Sequence, residues 1–559
     1  MSSMKIGCVF LLLALIRTQA AAQDVNVQAD RGGAELPGWM QRELAEDRNA
    51  FEFQRAWLSA LLRVRAQRER LDDHGVEADS LSPQRARELG TAVSGVLQVP
   101  VLPILYANTE VEPYPVADLE RRLFAAGGDT LTLTRFYREV SRGLFRVDGV
   151  VHDWIRVDSA DAYYEGMDNG EPPYLGRLLK EVLDRADQDV NFRIYDRNSD
   201  GFVDVVAFVQ PQSGGECGNA NIWSMRWSYG PAIGDNTAVY RTNDGVSISD
   251  FVIQPALGCD GLPEEIGVFA HELGHAVGLP DLYSTSNPAT NAGIGSWGLM
   301  GSGSWNQPSS PAHLEAWSKA EMGWIPLVRI QRDTSDVVIR AVADSGSVVR
   351  IDIPSSNGEY FLLENRQRLG SDIHLSSPGL LIWHVDSLEI ARRAYGNTVQ
   401  NNPWRKGVDL EEADGGTLDD PLGQADSGDP YPGATTSEFG PNTTPSSDSN
   451  DGLPSGIHVG NIRRHGSDIV VDIRLSAYPP GYTPPQSPPS APEGTIALFR
   501  FTRPLHLRDV RWLEAVGFSV LDIIMDTSSV RVRYPSPFAG DPTRLNPRIR
   551  QVTIESATP

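Results

Sequence analysis

The stretch "HELGHAVGLPD", residues 271–281, limits the folds open to this chain more than any other. His271 and His275 stand four residues apart, so on an α-helix both imidazoles leave one face and can share a metal ion. Glu272, next to the first histidine, is placed to reach water at that metal rather than the metal itself. The flanks suit a helix over about 263–277: Pro263 for the first turn, Glu264 and Glu265 for the positive end of the dipole, and Gly278 for a left-handed C-terminal cap. Leu279 and Pro280 then lead to Asp281, six residues beyond His275. A carboxylate is a normal zinc ligand, and three protein ligands leave a fourth position open. The bland reading of the two histidines is core packing, which Glu272 opposes because an ionisable group in a dry core is costly. The bland reading of Asp281 is a hydrogen-bond partner for a histidine, or a loop cap.

Downstream lies "GSWGLMGSGSWN", where glycines around Met300 permit a tight turn. A methionine turn beneath zinc marks the metzincins, many of which add a tyrosine just after it. None follows Met300 closely; Tyr283 and His313 are the candidate substitutes, with His313 better read as structural because it lacks metal spacing. A second metal is suggested by "DRNSDGFVD". Asp196, Asn198, Asp200 and Asp204 fall at positions 1, 3, 5 and 9 of a calcium loop, Gly201 at its turn, and the Phe202 carbonyl at position 7. Position 12 holds Ala207 instead of a bidentate acid, so an Asp/Asn turn before a strand is the competing reading. "DLEEADGG" and "DSGDPYPG" are further acidic stretches that read as solvated loops.

The net charge of −24 argues against nucleic acid or an anionic membrane as a partner. The N-terminus reads as a signal peptide over 1–22: Lys5, an apolar core from Ile6 to Ile16 too short to span a bilayer, then "AAA". No other apolar run could cross a membrane, so a secreted, extracellular or periplasmic protein is expected. With Cys8 leaving in the signal, Cys217 and Cys259 remain as an even pair, hence a disulfide; two buried thiols are the alternative.

Residues 23–95 are charged and helical in periodicity, a leader or pro-segment. A zinc peptidase domain over 96–326 follows, opening on the strand "VLQVPVLPILYAN" and including the helix "TLTRFYREV". Residues 327–476 read as β-rich, from "DVVIRAVAD" to "DIVVDIRL"; 477–494 as a Pro/Ser linker; and 495–559 as a small module of strand, helix, strand, strand. The fold class is therefore α+β.

The pattern HExxHxxGxxD followed by "SWGLMGSGSW" resembles the immune inhibitor A family of secreted bacterial metallopeptidases. Further stretches agree: "FYREVSRGLFRVDGVV", "YDRNSDGFVDVVAFV", "NIWSMRWS", "PAHLEAWSKAEMGW", "YFLLENRQ", "GLLIWHVD", "GVDLEEADGG" and "GDPYPG". The likeness runs from about 98 to 476. It implies a metzincin-like catalytic domain made as a zymogen, with His271, His275 and Asp281 as zinc ligands and Glu272 as catalytic base. The expected function is hydrolysis of peptide bonds in protein or peptide substrates by zinc-activated water. The alternative is a non-catalytic zinc- and calcium-stabilised binding or adhesin-like protein; Glu272 argues against it, since a structural site needs no base. Nothing in the sequence sets an oligomeric state, a cleavage preference or a role for 495–559.

Overall fold

The computed structural model describes residues 37–475, apart from 47–57, 167, 286–290, 355, 357, 395–396, 404, 417, 420–423 and 435. Beyond 475 it describes 496–501, 513, 518–524, 529–533 and 549–554. The segments expected to be a signal peptide (1–22), the start of a leader and a Pro/Ser linker (477–494) lie outside these residues.

The segment expected to be a leader contributes helices α1 (Gly38–Glu46), α2 (Leu58–Asp73) and α3 (Pro83–Glu88), the last capped by the Ser82 side chain. The first sheet is built from β1 (Gly95–Leu105), β2 (Phe145–Val151), β3 (Val206–Ser213), β4 (Met225–Ser228) and β5 (Asp250–Leu257) in the order β2-β1-β3-β5-β4. β1 pairs in parallel with β2 and β3, and β3 with β5; only β4, at the edge, runs antiparallel. Its inner strands are buried on both faces, which explains their apolar sequences. Around it lie α4 (Val116–Phe124), α5 (Leu133–Val140), α6 (Tyr174–Ala186) and α7 (Ile266–Ala276). Thr132 caps α5 through a side-chain bond from Arg135 N–H.

After α8 (Ala316–Met322) the chain turns to strands: β6 (Leu327–Arg329), β7 (Thr334–Ile339), β8 (Val348–Asp352), β9 (Glu359–Arg366) and β10 (Gly379–Asp386). Helix α9 (Ser387–Arg393), β11 (Val408–Leu410), β12 (Ile457–His465) and β13 (Asp468–Leu475) complete this region. Five strands form one sheet in the order β11-β10-β9-β8-β6, and β7-β13-β12 form another. Alternation along β9 shows how the layers stack. Tyr360 and Leu362 belong to the core shared with α5, α7 and α8, whereas Phe361 and Leu363 point into a separate core with Val459, Ile469 and Val471 of the three-stranded sheet. The five-stranded sheet is thus covered on both sides and lies against the first domain.

Helices α2 and α3 are part of that shared core. Leu61 and Val64 of α2 and Ala86 of α3 are buried with Tyr137, Trp324 and Leu362. Arg68 of α2 donates to the Thr91 and Ala320 carbonyls. On the other face of the first sheet Trp39 of α1 packs against Trp227 of β4, ring centroids 5.1 Å apart.

Two expectations shift. Helix α7 begins at Ile266, not 263, because Pro263 bridges to Leu257 and Glu265 serves as N-cap. At the C-terminus β14 (Ile496–Phe501), β15 (Ser519–Ile524), β16 (Ser529–Arg533) and β17 (Ile549–Ile554) form an antiparallel sheet ordered β15-β16-β14-β17. The final strand, "IRQVTI", went unread: its alternation is short and broken by Gln551. The helix expected before β15 falls outside the described residues except for Leu513. Among the described residues no helix is long and apolar enough to cross a membrane.

Candidate metal centre

Helix α7 ends as its sequence requires. Gly278 takes φ +97°, its N–H donates to the His275 carbonyl and Leu279 N–H donates to the Gly274 carbonyl, the paired bonds of a Schellman cap. This turn brings Asp281 back beneath the helix. Asp281 Oδ1 lies 3.0 Å from His271 Nε2 and 3.2 Å from His275 Nε2, and the three side chains are buried. Each histidine contacts a backbone carbonyl through its other nitrogen: His271 Nδ1 and Leu299 O are 2.8 Å apart, as are His275 Nδ1 and Leu279 O. With Nδ1–H donating in this way, each Nε2 presents a lone pair to the Asp281 carboxylate. A cation shared by all three satisfies this buried convergence when Nε2 is unprotonated on both rings, and a proton on His271 Nε2 satisfies it otherwise; two imidazoles with one carboxylate suit zinc. The ligand atoms all lie within 4.8 Å of one another, so the residues present fit the metal.

The electrostatics follow the same logic. Burial disfavours charge on His271, but the hydrogen bond and charge of Asp281 outweigh it and raise its pKa to about 9. Burial and the Arg226 guanidinium push His275 down to about 4. Burial would lift Asp281, yet the two histidines hold it well below the usual carboxylate range. Glu272, also buried, is pushed up to about 7 by desolvation, with His271 opposing and Asp281 adding to the rise.

Met300 is fully buried under α7. A Cβ on Gly274 would come within 2.6 Å of its sulfur, so the absence of a side chain there is what lets the loop pass between the histidine turns. The loop is tied to the ligands on both sides: Leu299 O faces His271, and Leu282 N–H donates to the Met300 carbonyl. Tyr283 is brought to the site, its ring stacked on His271 at 6.2 Å, and burial together with the Asp281 charge pushes its hydroxyl well above the usual tyrosine range. His313 is not: it is buried below the loop, where its carbonyl accepts from Leu299 N–H and its own N–H donates to Asp372.

Several residues of this neighbourhood escaped the sequence. Asn397, over a hundred positions downstream, accepts from Asp281 N–H at 2.7 Å and donates its amide to Asp281 Oδ2 at 2.5 Å. It adopts φ +49°, a conformation asparagine tolerates better than most residues. Arg226 on β4 supplies the positive charge that acts on Glu272 and His275. Tyr137 of α5 donates to the Ala270 carbonyl at 2.6 Å. Beneath the methionine loop, Arg366 of β9 grips Asp372 with two bonds and donates to the Trp297 carbonyl, all with the guanidinium fully buried. The one hint in the sequence was a strand, "YFLLENRQ", whose polar residues sit where water is absent.

In the 196–204 loop the carboxylates cap backbone amides. Asp196 accepts from Asp200 and Gly201 N–H, Asn198 accepts from Asp200 N–H, and Asp200 accepts from Phe202 N–H. Asp204 is buried, and Gly201 takes φ +88°. Among the described residues, two groups bring three metal-capable side chains within 4.8 Å, and this loop is not one of them. Cys217 and Cys259 are joined as a disulfide, Cα atoms 5.2 Å apart. The acidic stretches at 409–416 and 426–433 are not solvated as expected: Glu411 and Glu412 are 3% exposed and Asp429 not at all, because both stretches are folded in against the methionine loop and β10.

Residues 123–325 match the family model described as Immune inhibitor A peptidase M6, catalytic domain. "Immune inhibitor A" of Bacillus thuringiensis subsp. alesti is 32% identical over 222 residues, 35% of this chain and 30% of that protein. "Pre-pro-metalloprotease PrtV" of Vibrio cholerae serotype O1 (strain ATCC 39315 / El Tor Inaba N16961) is 28% identical over 222 residues, 34% of this chain and 24% of that protein. The chain spans less than a third of the length of these curated relatives. Over residues 123–325, this chain is similar to the catalytic domain of the immune inhibitor A peptidase M6 family.

Proposed function

We propose that the chain is a secreted zinc endopeptidase of metzincin-like design that hydrolyses peptide bonds in protein substrates. One observation carries the reading: the convergence of His271 Nε2, His275 Nε2 and Asp281 Oδ1, with Glu272 beside them on the same helix. When bound, zinc supplies Lewis acidity to water and to the scissile carbonyl. Glu272 accepts a proton from the attacking water and passes it to the leaving amine. The carbonyls of Leu299 and Leu279, at Nδ1, hold the two imidazoles in the tautomer that leaves Nε2 free. Met300 forms the floor of the site as a methionine turn.

In the same reading residues 1–22 direct secretion and 23–95 are a pro-segment. The 196–204 loop takes calcium through Asp196, Asn198, Asp200, Asp204 and the Phe202 carbonyl, a role supported by its alternating oxygen groups and left-handed Gly201.

The test uses purified protein with casein, before and after removal of 23–95, with and without a chelator, beside Glu272→Ala. Chelator-sensitive cleavage that Glu272→Ala abolishes while zinc content is retained is the expected result. Cleavage that is absent from both forms of the wild-type chain, or undiminished in Glu272→Ala, refutes the reading.

A further inference from the structure

We propose that Glu412, Asp414 and Asp429 form a calcium site that braces the methionine loop from the side away from the zinc ligands. One carboxylate oxygen from each lies within 4.8 Å of the others. Glu412 and Asp429 are buried, while Asp414 reaches the surface. Such a cluster alone would mean little. What singles it out is the state of Asp429. Its Oδ2 accepts from Trp297 Nε1 at 2.6 Å and from Asp426 N–H at 3.0 Å. Its Oδ1 is buried with no hydrogen-bond partner. A carboxylate oxygen removed from water and left unpaired is costly, and a bound cation is the ordinary remedy.

The two loops are built to hold that geometry. Ala413 N–H donates to the Asp429 carbonyl at 2.9 Å, Gly415 N–H to the Glu412 carbonyl at 3.1 Å, and Leu418 N–H to Glu412 Oε1 at 3.0 Å. A Cβ on Gly428 would stand 2.1 Å from Asp414 Oδ2, so the glycine makes room for that carboxylate. The donors are all oxygens, which selects a hard cation over zinc. Three carboxylates from one irregular loop pair suit calcium, which accepts variable geometry; magnesium dehydrates reluctantly and commonly takes one or two.

The site would act on the catalytic centre through Trp297. That residue and Ala292, whose N–H donates to the Leu418 carbonyl at 3.1 Å, anchor the segment leading to Leu299 and Met300. Gly295 packs against Leu418 and Ala425 of the same acidic loop. Calcium here would fix the position of the carbonyl that orients His271. Calcium binding itself does not depend on the peptidase reading.

The experiment measures calcium bound by the chelator-stripped full chain in equilibrium dialysis, together with its melting temperature with and without millimolar calcium. It compares wild type, Asp414→Asn, Glu412→Gln and, for the separate 196–204 loop, Asp200→Asn. We expect Asp414→Asn and Glu412→Gln each to weaken binding at one site at least tenfold and to remove a calcium-dependent rise in melting temperature that Asp200→Asn retains. Asp414 is exposed, so its variant keeps the test decisive if Glu412→Gln fails to fold. Wild type that binds no calcium at millimolar concentration, wild-type affinity in Asp414→Asn, or loss confined to Asp200→Asn overturns the proposal. Magnesium displacing calcium at equal concentration overturns the choice of cation.

Discussion

Replacing Asn397 by glycine isolates the clamp on Asp281, the proposed third ligand. The backbone at 397 sits at φ +49°, which glycine adopts without steric cost, so the loop keeps its course while both side-chain bonds to Asp281 vanish. Thr285 still donates its hydroxyl to the residue-397 carbonyl at 2.9 Å, which keeps the two loops together. A hydrogen bond to a charged group contributes about 1.5–3 kcal/mol net. With ~1.4 kcal/mol per tenfold in affinity, losing the amide bond to Oδ2 should weaken zinc binding about 10- to 100-fold. That range also matches the usual effect of removing a hydrogen-bond partner from a metal ligand, ~10- to 100-fold. Asn397→Asp should be worse, since it sets a second carboxylate against Asp281. The assay is a competition titration of the full chain against a chromogenic zinc chelator. An Asn397→Gly dissociation constant within about twofold of wild type would show that Asp281 is held by its own loop, and the reasoning would fail.

Three further outcomes can be checked. Gly274→Ala should lower the urea midpoint: overpacking against Met300 costs about 1–3 kcal/mol, more than the ~1 kcal/mol that alanine gains in a helix, and a raised midpoint would refute this. The double variant Cys217→Ser, Cys259→Ser should lose about 2–4 kcal/mol in equilibrium unfolding, since the bridge closes a loop with a sequence separation of 42. The buried His384 sits between Glu359 at 2.8 Å and Glu411 at 3.1 Å; burial opposes its charge, but these carboxylates raise its pKa to about 9. A folded pKa above the unfolded value of about 6.5 stabilises fully below that pH and fades as pH climbs through about 9. Urea midpoints should therefore fall over that window in wild type and less so in His384→Gln; parallel profiles would refute it.

What the sequence revealed and what it hid divide along physical lines. The histidine pair, Gly278 and Asp281 were legible because they lie within one helix and one cap, where spacing fixes geometry. β9 and β10 were legible as strands because their apolar runs are continuous. Asn397 was not legible: its partner is remote in sequence, and a single asparagine in a loop has no periodicity to betray it. Arg226 escaped for the same reason, since only strand pairing to β5 brings it beside α7. The acidic loops misled because carboxylates are usually solvated, and nothing local showed that Trp297 and Leu418 would draw Asp429 and Glu412 inward. The start of α7 was misplaced by three residues because Pro263 serves a strand bridge as readily as a first turn.

Leu61, Val64 and Ala86 share one core with Tyr137 and Trp324, and Arg68 occupies the Ala320 carbonyl of α8. If residues 23–95 are excised during maturation, apolar side chains leave the interior and the Ala320 carbonyl loses its donor. Maturation would then resemble the removal of a subunit rather than the opening of a door. A nick between α1 and α2 could leave both pieces seated, so that the cut chain and the intact one share a shape while differing in how long they keep it.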